Sequence, residues 1–173
     1  MSTRKADFIT LDDLVDELSV DIVRYFFIMR SMNTHLDFDL NLAKDQSDKN
    51  PVFYLQYAYA RICNIIRYGE NQGFKFSEKF DTTLLDESSE IKLLKLMSNF
   101  PTMMETALET LEPQTIAIYL QDLASSFHKF YGNCKVITDD EKLSQSRLGL
   151  IKGAKIIISI GLSILGLSAP EKM

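Results

Sequence analysis

The chain has 173 residues, 46% hydrophobic and 25% charged, so it has the size of one domain and can bury a substantial core. Two distant cysteines and two histidines argue against a zinc site and a disulfide framework. The net charge of −5 argues against a protein that binds nucleic acid over its whole surface, because phosphate binding depends on clustered lysine and arginine.

Charge and apolar residues are unevenly distributed. Acidic side chains outnumber basic ones in residues 1–50, whereas Pro113 to Met173 is mildly basic. The polar N-terminal residues predict no signal peptide. The longest apolar run, Ile156 to Leu167, falls short of the roughly 20 residues that cross a bilayer. We therefore expect a cytoplasmic protein with reduced thiols.

Two short amphipathic helices are predicted near the N-terminus. Thr10 and Asp13 match a capping box, and leucine and valine then recur at helical spacing. Ser19 is the expected N-cap of a second helix, in which Asp21 favours the positive end and Arg24 lies further along. Together these elements predict a helical hairpin.

The stretch His35 to Leu40 alternates apolar and polar residues, which is typical of extended backbone. One isolated strand forms no sheet, so we expect an extended connector. His35, Asp37 and Asp39 are oxygen and nitrogen ligands that could bind a metal, but no fourth ligand lies nearby in the sequence. We therefore predict no metal site.

The stretch Asn50 to Gly69 predicts a long helix with two faces. Asn50 is a suitable N-cap, and Pro51 occupies the first helical position, where proline is well tolerated. The expected core face consists of Val52, Leu55, Tyr59, Ile62, Cys63 and Ile66. We expect the opposite face to carry Tyr54, Ala58, Arg61 and Ile65, with Tyr57 and Asn64 along its edge.

That second face has two interpretations. An aromatic ring, a small residue beside it and a guanidinium one turn further could stack on a base and pair with a phosphate. Tyrosine and arginine are also common on solvated helix faces without any ligand. This helix alone therefore does not establish a binding site.

The remaining sequence predicts a loop and four further helices. Gly69 to Glu87 is the expected loop, and helices follow Ser88 and Pro101. Pro113 opens a long helix whose end carries His128, which we interpret as a surface or structural histidine. The expected core stripe of that helix is Ile116, Leu120, Leu123, Phe127 and Phe130.

The last predicted helix begins at a second capping box, formed by Thr138 and Glu141. It continues into the apolar run and ends at Gly166. Because this helix is apolar almost all round, we expect it to be buried centrally. Its small residues permit the close approach of a neighbouring helix, and these are Gly149, Gly153, Ala154 and Gly161.

The order of several short motifs closely resembles the C-terminal part of bacterial arginyl-tRNA synthetases. The resemblance covers the whole chain and implies an all-α helical bundle of the DALR anticodon-binding type. This type is named for a tetrapeptide that Asp21 to Arg24 matches at its first and last positions. The motifs are residues 21–27, 35–39, 50–51, 54–58, 127–131 and 169–173.

The same resemblance implies a domain organisation. Residues 1–10 look like the remnant of the class I signature loop, residues 11–48 like a helical connector, and residues 49–173 like the anticodon-binding bundle. In the family, cationic groups of the signature loop stabilise the pyrophosphate of ATP. Here the loop is incomplete and is represented by Met1, Ser2, Thr3 and Arg4.

The resemblance also implies what the chain does. It predicts a domain of an arginine–tRNA ligase that holds the anticodon stem-loop of tRNA-Arg, attached to an upstream catalytic domain that uses ATP and Mg²⁺. This chain should have no cofactor of its own and no catalytic activity, and should bind neither DNA nor membrane. The expected anticodon-binding residues are Tyr54, Ala58, Arg61, Tyr131, Lys135 and Met173.

An alternative function class remains open. A helical protein–protein interaction module without any RNA role would have the same periodicities, and the acidic first part of the chain favours it slightly. The ordered series of motifs favours the anticodon-binding interpretation.

Overall fold

The computed structural model describes residues 10–31, 34–35, 37–74, 76–77 and 79–173. Within these ranges the regular structure is entirely helical, which confirms the all-α prediction. A 3₁₀ turn covers Thr82–Leu84. The α-helices are α1 (Leu11–Leu18), α2 (Val20–Ile28), α3 (Leu40–Lys44), α4 (Pro51–Asn71), α5 (Ser88–Ser98), α6 (Phe100–Thr110), α7 (Gln114–Asn133) and α8 (Glu141–Ile164).

Local capping signals determine where several helices begin. The hydroxyl of Thr10 accepts the backbone N–H of Asp13, and the Asp13 carboxylate accepts that of Thr10, so the predicted capping box is confirmed. The side chain of Asn50 accepts the backbone N–H of Val52 and starts α4 as predicted. The helix itself continues two residues beyond the predicted end at Gly69, to Asn71.

Two other predicted caps differ from expectation. Ser19 is the N-cap residue of α2 as predicted, but its side chain makes no capping bond; its backbone N–H donates to the carbonyl of Val15, and its φ of 98° turns the chain from α1 into α2. The predicted box at the start of α8 is wrong. The N-cap of α8 is Asp140, which accepts the backbone N–H of Leu143. Thr138 instead donates its hydroxyl to the carbonyl of Asp140, before the helix begins.

The predicted extended connector ends earlier than expected. Asp39 accepts the backbone N–H groups of Asn41 and Leu42 and so starts α3, a helix that the alternating pattern did not indicate. The ring of Phe38 packs against that of Phe26, with centroids 5.2 Å apart. Among the described residues, no group of three or more His, Cys, Asp or Glu side chains is arranged to hold a metal ion.

The core lies between α4, α7 and α8, with α5 against α7 and α8, and α6 against α7. Close helix contacts in this core require glycine. A Cβ atom at Gly161 would lie 2.6 Å from Leu120, and one at Gly149 would lie 2.6 Å from Phe80. The predicted close approach of a neighbouring helix is therefore present at Gly161, against α7, whereas Gly149 faces a loop residue.

Helix α8 is not buried on all sides. Ile156, Ile160 and Ile164 are 59%, 44% and 51% exposed, so the prediction of a centrally buried helix is wrong for this face. These residues recur every four positions and so lie on one face of α8, where Ile156 and Ile160 line a cavity together with Ile66 of α4. Within the described ranges, no helix combines the length and the apolar character that crossing a bilayer requires.

Candidate nucleic-acid interface

A groove of 720 Å³ lies between the outer face of α4, the C-terminal end of α7 and the loop that leads into α8. Its described lining includes the cations Arg61 and Lys135 but no Asp or Glu. In a chain of net charge −5, this groove is therefore a local basic site. The polar and aromatic residues that α4 and α7 contribute to the lining are Tyr57, Asn64, Tyr68, Tyr131 and Asn133.

Arg61 lies between two tyrosine rings in this groove. Its guanidinium carbon is 4.7 Å from the ring centroid of Tyr57 and 5.2 Å from that of Tyr131, within the range of cation–π attraction. The tyrosines are 43% and 39% exposed, so solvent reaches both side chains. The guanidinium makes no hydrogen bond or ion pair with another described residue, so its N–H groups remain available to an anion.

Both tyrosine rings rest on side chains of α7. Tyr131 stacks on Phe127, with centroids 6.1 Å apart and planes 22° apart, and Phe127 is fully buried. Tyr57 stacks on His128, with centroids 6.0 Å apart. Because packing from behind restricts each ring, the aromatic surface exists before any ligand arrives.

His128 contributes a packing surface to the wall of the groove. Neither ring nitrogen has a hydrogen-bond partner among the described residues, although both are shielded from solvent. Burial lowers the pKa of His128, and the nearby charge of Arg61 lowers it further. The imidazole is therefore neutral at pH 7, and its ring serves as the support for Tyr57 and Tyr54.

The loop that carries Lys135 is fixed by a buried ion pair. Arg147 on α8 donates from Nη1 to the carbonyl of Lys135, at 2.7 Å, and from Nε to Oε1 of Glu90, at 2.6 Å. The Glu90 side chain is fully buried and also accepts the backbone N–H of Glu87. The exposed Lys135 side chain thus projects from a backbone that α5 and α8 hold in place.

Four of the predicted site residues meet at the groove: Arg61, Tyr131, Lys135 and Met173. Tyr54 is not among the lining residues; it is half-buried, with its ring 5.0 Å from that of His128. Ala58 is fully buried, so the prediction that it shares an exposed face with Tyr54 is wrong. It follows Tyr57 by about 100° around the helix, which turns it toward the core.

Met1, Ser2, Thr3 and Arg4, the expected signature-loop remnant, lie outside the described residues.

The sequence prediction gave too little weight to three residues of the groove. Tyr57, Asn64 and Tyr68 follow one another at intervals of seven and four residues, with Arg61 four residues after Tyr57. This is the spacing of one helix face. The sequence contains this pattern. Because Ala58 was assigned to the exposed face, the predicted binding face of α4 was displaced by one residue from the face that lines the groove.

The family model described as the DALR anticodon binding domain matches residues 55–173. The arginine–tRNA ligase of Salinibacter ruber is 45% identical over 173 residues, which cover all of this chain and 31% of that protein. The arginine–tRNA ligase of Desulforamulus reducens is 47% identical over 175 residues, again 100% of this chain and 31% of the relative.

A solved structure gives the same result. Arginyl-tRNA synthetase of Thermus thermophilus superimposes with a TM-score of 0.77 at 25% identity, over 98% of this chain and 29% of that chain. This chain thus spans about a third of the length of the proteins that it matches. The resemblance to arginyl-tRNA synthetases that the motif order indicated is confirmed, and the chain belongs to the DALR anticodon binding domain family.

Proposed function

We propose that this chain binds the anticodon stem-loop of tRNA-Arg, as part of an arginine–tRNA ligase, and that the groove between α4 and α7 receives the unpaired bases. The observation that carries the proposal is the position of Arg61 between Tyr57 and Tyr131, in a groove whose described lining has no Asp or Glu side chain. Single-stranded RNA is generally recognised by stacking of splayed bases on aromatic rings and guanidinium planes.

Each groove residue has a distinct role in this proposal. Tyr57 and Tyr131 offer ring faces for bases, and Arg61 offers both a flat guanidinium and a charge for a phosphate. Lys135 is a point charge at the rim and pairs with the RNA backbone. Met173 supplies a flexible apolar contact, since its side chain is 56% exposed at the groove.

Tyr54 has an indirect role in the proposal. Its ring supports His128, which in turn supports Tyr57. Because Ala58 is fully buried, we assign it no contact with RNA in this proposal.

The rest of the proposal concerns the whole ligase. Residues 11–48 connect the bundle of residues 49–173 to a catalytic domain, and ATP with Mg²⁺ belongs to that domain. The tRNA is held at its anticodon end here while its acceptor end reaches the catalytic domain, in the cytoplasm.

A second function, docking of a protein partner, is favoured by one observation. Ile156, Ile160 and Ile164 form an exposed apolar stripe on α8, and contiguous apolar patches often mark protein contacts. The stripe does not explain why the cations and aromatic rings converge in the groove. We therefore rank docking below RNA binding.

A direct titration tests RNA binding. A fluorescently labelled anticodon stem-loop of tRNA-Arg and a non-cognate stem-loop would be titrated with the full 173-residue chain at two salt concentrations. We expect Arg61→Ala to weaken cognate binding and the matched control Lys92→Ala, an exposed lysine on α5, to leave it unchanged. Absence of binding to either RNA at low salt would contradict the proposal and favour the docking function.

A further inference from the structure

The segment that follows α8 is tied to α2, far from it in the sequence. The guanidinium of Arg24 donates a hydrogen bond to the carbonyl of Gly166. Gly166 has a φ of +68°, and a Cβ atom there would lie 3.0 Å from Nη1 of Arg24. Glycine therefore permits both the left-handed turn that ends α8 and the close approach of the arginine.

A second tie involves the carboxylate of Asp21, one helical turn before Arg24. Its Oδ2 atom accepts the backbone N–H of Ser168 at 3.1 Å, the hydroxyl of Ser168, and Nε2 of Gln56 at 2.9 Å. The Gln56 amide also donates to the Ser168 carbonyl, at 3.1 Å. Helices α2 and α4 and the segment after α8 thus meet at one carboxylate, and Gln56 immediately precedes Tyr57 of the groove.

The same segment then runs on to the groove. Leu165 and Leu167 are buried, so the start of the segment is anchored by apolar packing as well. Glu171 lies near Lys155 on α8 and Arg67 on α4, with N–O distances of 3.3 and 3.9 Å. These two pairs are exposed and contribute little free energy. Met173, two residues further, lines the groove.

We propose that Asp21 and Arg24 are positioning residues for RNA binding: they hold the segment of residues 165–173, here called the tail, so that Met173 remains in the groove. Neither residue is part of the groove lining, so neither is placed to contact a base in the groove directly. This inference rests on the proposed function. If the ties are lost, the fraction of molecules with Met173 in place falls, and the apparent affinity falls by the same factor.

The inference gives a physical reason for the first and last positions of the family tetrapeptide in this chain. Both side chains lie on one face of α2, three residues apart, and both reach the tail and not the RNA groove itself. A carboxylate suits the first position because it accepts three donors at once. A guanidinium suits the last because it reaches a backbone carbonyl across the helix end.

The test is a double-mutant cycle in the full chain. The variants are Asp21→Asn, deletion of residues 169–173, and the two combined. The control Tyr25→Phe removes a different hydrogen bond of α2, the one that Gln121 donates to the Tyr25 hydroxyl at 2.6 Å. Each variant is titrated with the labelled anticodon stem-loop, and its melting temperature is measured.

We expect Asp21→Asn to weaken RNA binding by about 3- to 20-fold, the range in which residues outside a site modulate it. The deletion also removes Met173 from the groove and should weaken binding at least as much. The combined variant should bind no more weakly than the deletion alone, because Met173, which Asp21 helps to position, is then absent. Tyr25→Phe should not alter affinity even if it lowers the melting temperature. If the affinity losses of the two single variants multiplied in the combined variant, the proposal would be overturned.

A measurement without RNA separates this inference from the proposed function. The methyl signal of Met173, labelled with ¹³C, should broaden or shift in Asp21→Asn, and in the milder variant Ser168→Ala, but not in Tyr25→Phe. An unchanged methyl signal in folded Asp21→Asn would overturn the inference even if wild-type chain binds RNA. A changed methyl signal in a chain that binds no RNA would leave the tie intact and refute the proposed function alone.

Discussion

The ring of Tyr57 stacks on the imidazole of His128, with centroids 6.0 Å and planes 27° apart. A groove residue therefore rests on a histidine whose ring nitrogens have no partner among the described residues. Protonation of this imidazole places a charge between two tyrosine rings and next to the guanidinium of Arg61. Acidification should consequently act on the wall of the groove before it acts on the rest of the bundle.

The first prediction is a loss of stability on mild acidification. The pKa of His128 is lowered from 6.5 in the folded chain, so between pH 6.5 and that lower value the unfolded state binds more protons. The free energy of unfolding should fall as the pH drops through this window and be fully present above it. The measurement is the melting temperature between pH 7.5 and about pH 5, a range set by the ordinary histidine pKa.

Two variants control this prediction. His128→Phe keeps an aromatic ring but cannot titrate, so its melting temperature should depend less on pH. His35→Gln removes the exposed histidine and should leave the dependence unchanged. Carboxylates such as Asp13 and Asp81 do not interfere, because hydrogen bonds lower their pKa from 3.8 and they titrate below the window. Parallel pH curves for wild type and His128→Phe would contradict the prediction.

The second prediction separates the tyrosines. Tyr57→Ala and Tyr131→Ala should each lose roughly 1 to 3 kcal/mol of RNA binding, about 5- to 150-fold, because each removes a stacking surface. Tyr54→Ala should mainly lower stability, since Tyr54 packs against the core and lies outside the groove lining. Melting curves and stem-loop titrations in one buffer give both quantities.

A variant of a core residue provides the reference value for a loss of folding stability. Phe127 is fully buried, so Phe127→Ala should cost roughly 3 to 5 kcal/mol of stability through the cavity that it leaves. If Tyr57→Ala lowered the melting temperature as much as Phe127→Ala while the folded fraction bound RNA normally, Tyr57 would be a structural residue only.

Sequence reasoning succeeded where neighbouring residues decide the structure. The Thr10–Asp13 box and the Asn50–Pro51 start of α4 are local hydrogen-bond problems, and both were predicted correctly. Ala58 was assigned to the wrong face, because which side of an apolar-rich helix is buried depends on α7 and α8, far along the chain. The prediction missed the start of α3. The alternating pattern indicates extended backbone, although Asp39 is also a good N-cap.

Contacts between residues that are far apart in the chain could not be predicted from the sequence pattern. The pairing of Arg147 with Glu90 joins residues 57 positions apart, and the Arg61–Tyr131 contact joins α4 to α7. No periodicity encodes such pairs. The resemblance to the family supplied Tyr131, Lys135 and Met173, whereas the shared helix spacing of Tyr57, Asn64 and Tyr68 was present but not used.

The third prediction concerns the buried ion pair. Arg147→Met should destabilise the chain by roughly 3 to 5 kcal/mol, because it leaves the fully buried carboxylate of Glu90 without a countercharge. The combined variant Arg147→Met, Glu90→Leu should recover part of that loss. The surface pair of Lys44 with Glu17 is the control, and Lys44→Ala should cost about 1 kcal/mol or less. Urea unfolding measures all three.

The Arg147 side chain also positions a residue of the groove. Because Arg147 holds the carbonyl of Lys135, the combined variant should remain folded yet bind RNA more weakly than wild type. Equal stability losses for Arg147→Met and Lys44→Ala would contradict the role assigned to the buried pair.

The last prediction concerns salt. Arg61 and Lys135 are the cations of the described groove lining, and each phosphate contact to single-stranded RNA contributes a slope of about −0.7 in log K against log salt concentration. We expect a shallow total slope of about −1.4, from two such contacts. Lys135→Ala should reduce the slope by about 0.7, whereas Lys92→Ala on α5 should leave it unchanged. Titrations at four or more salt concentrations, with one stem-loop, supply the slopes.

A wild-type slope steeper than about −3 would mean that at least four phosphates are bound, so that RNA extends beyond the groove onto other basic side chains. If Lys135→Ala left the slope unchanged, Lys135 would not contact an RNA phosphate, even if Arg61→Ala abolished binding.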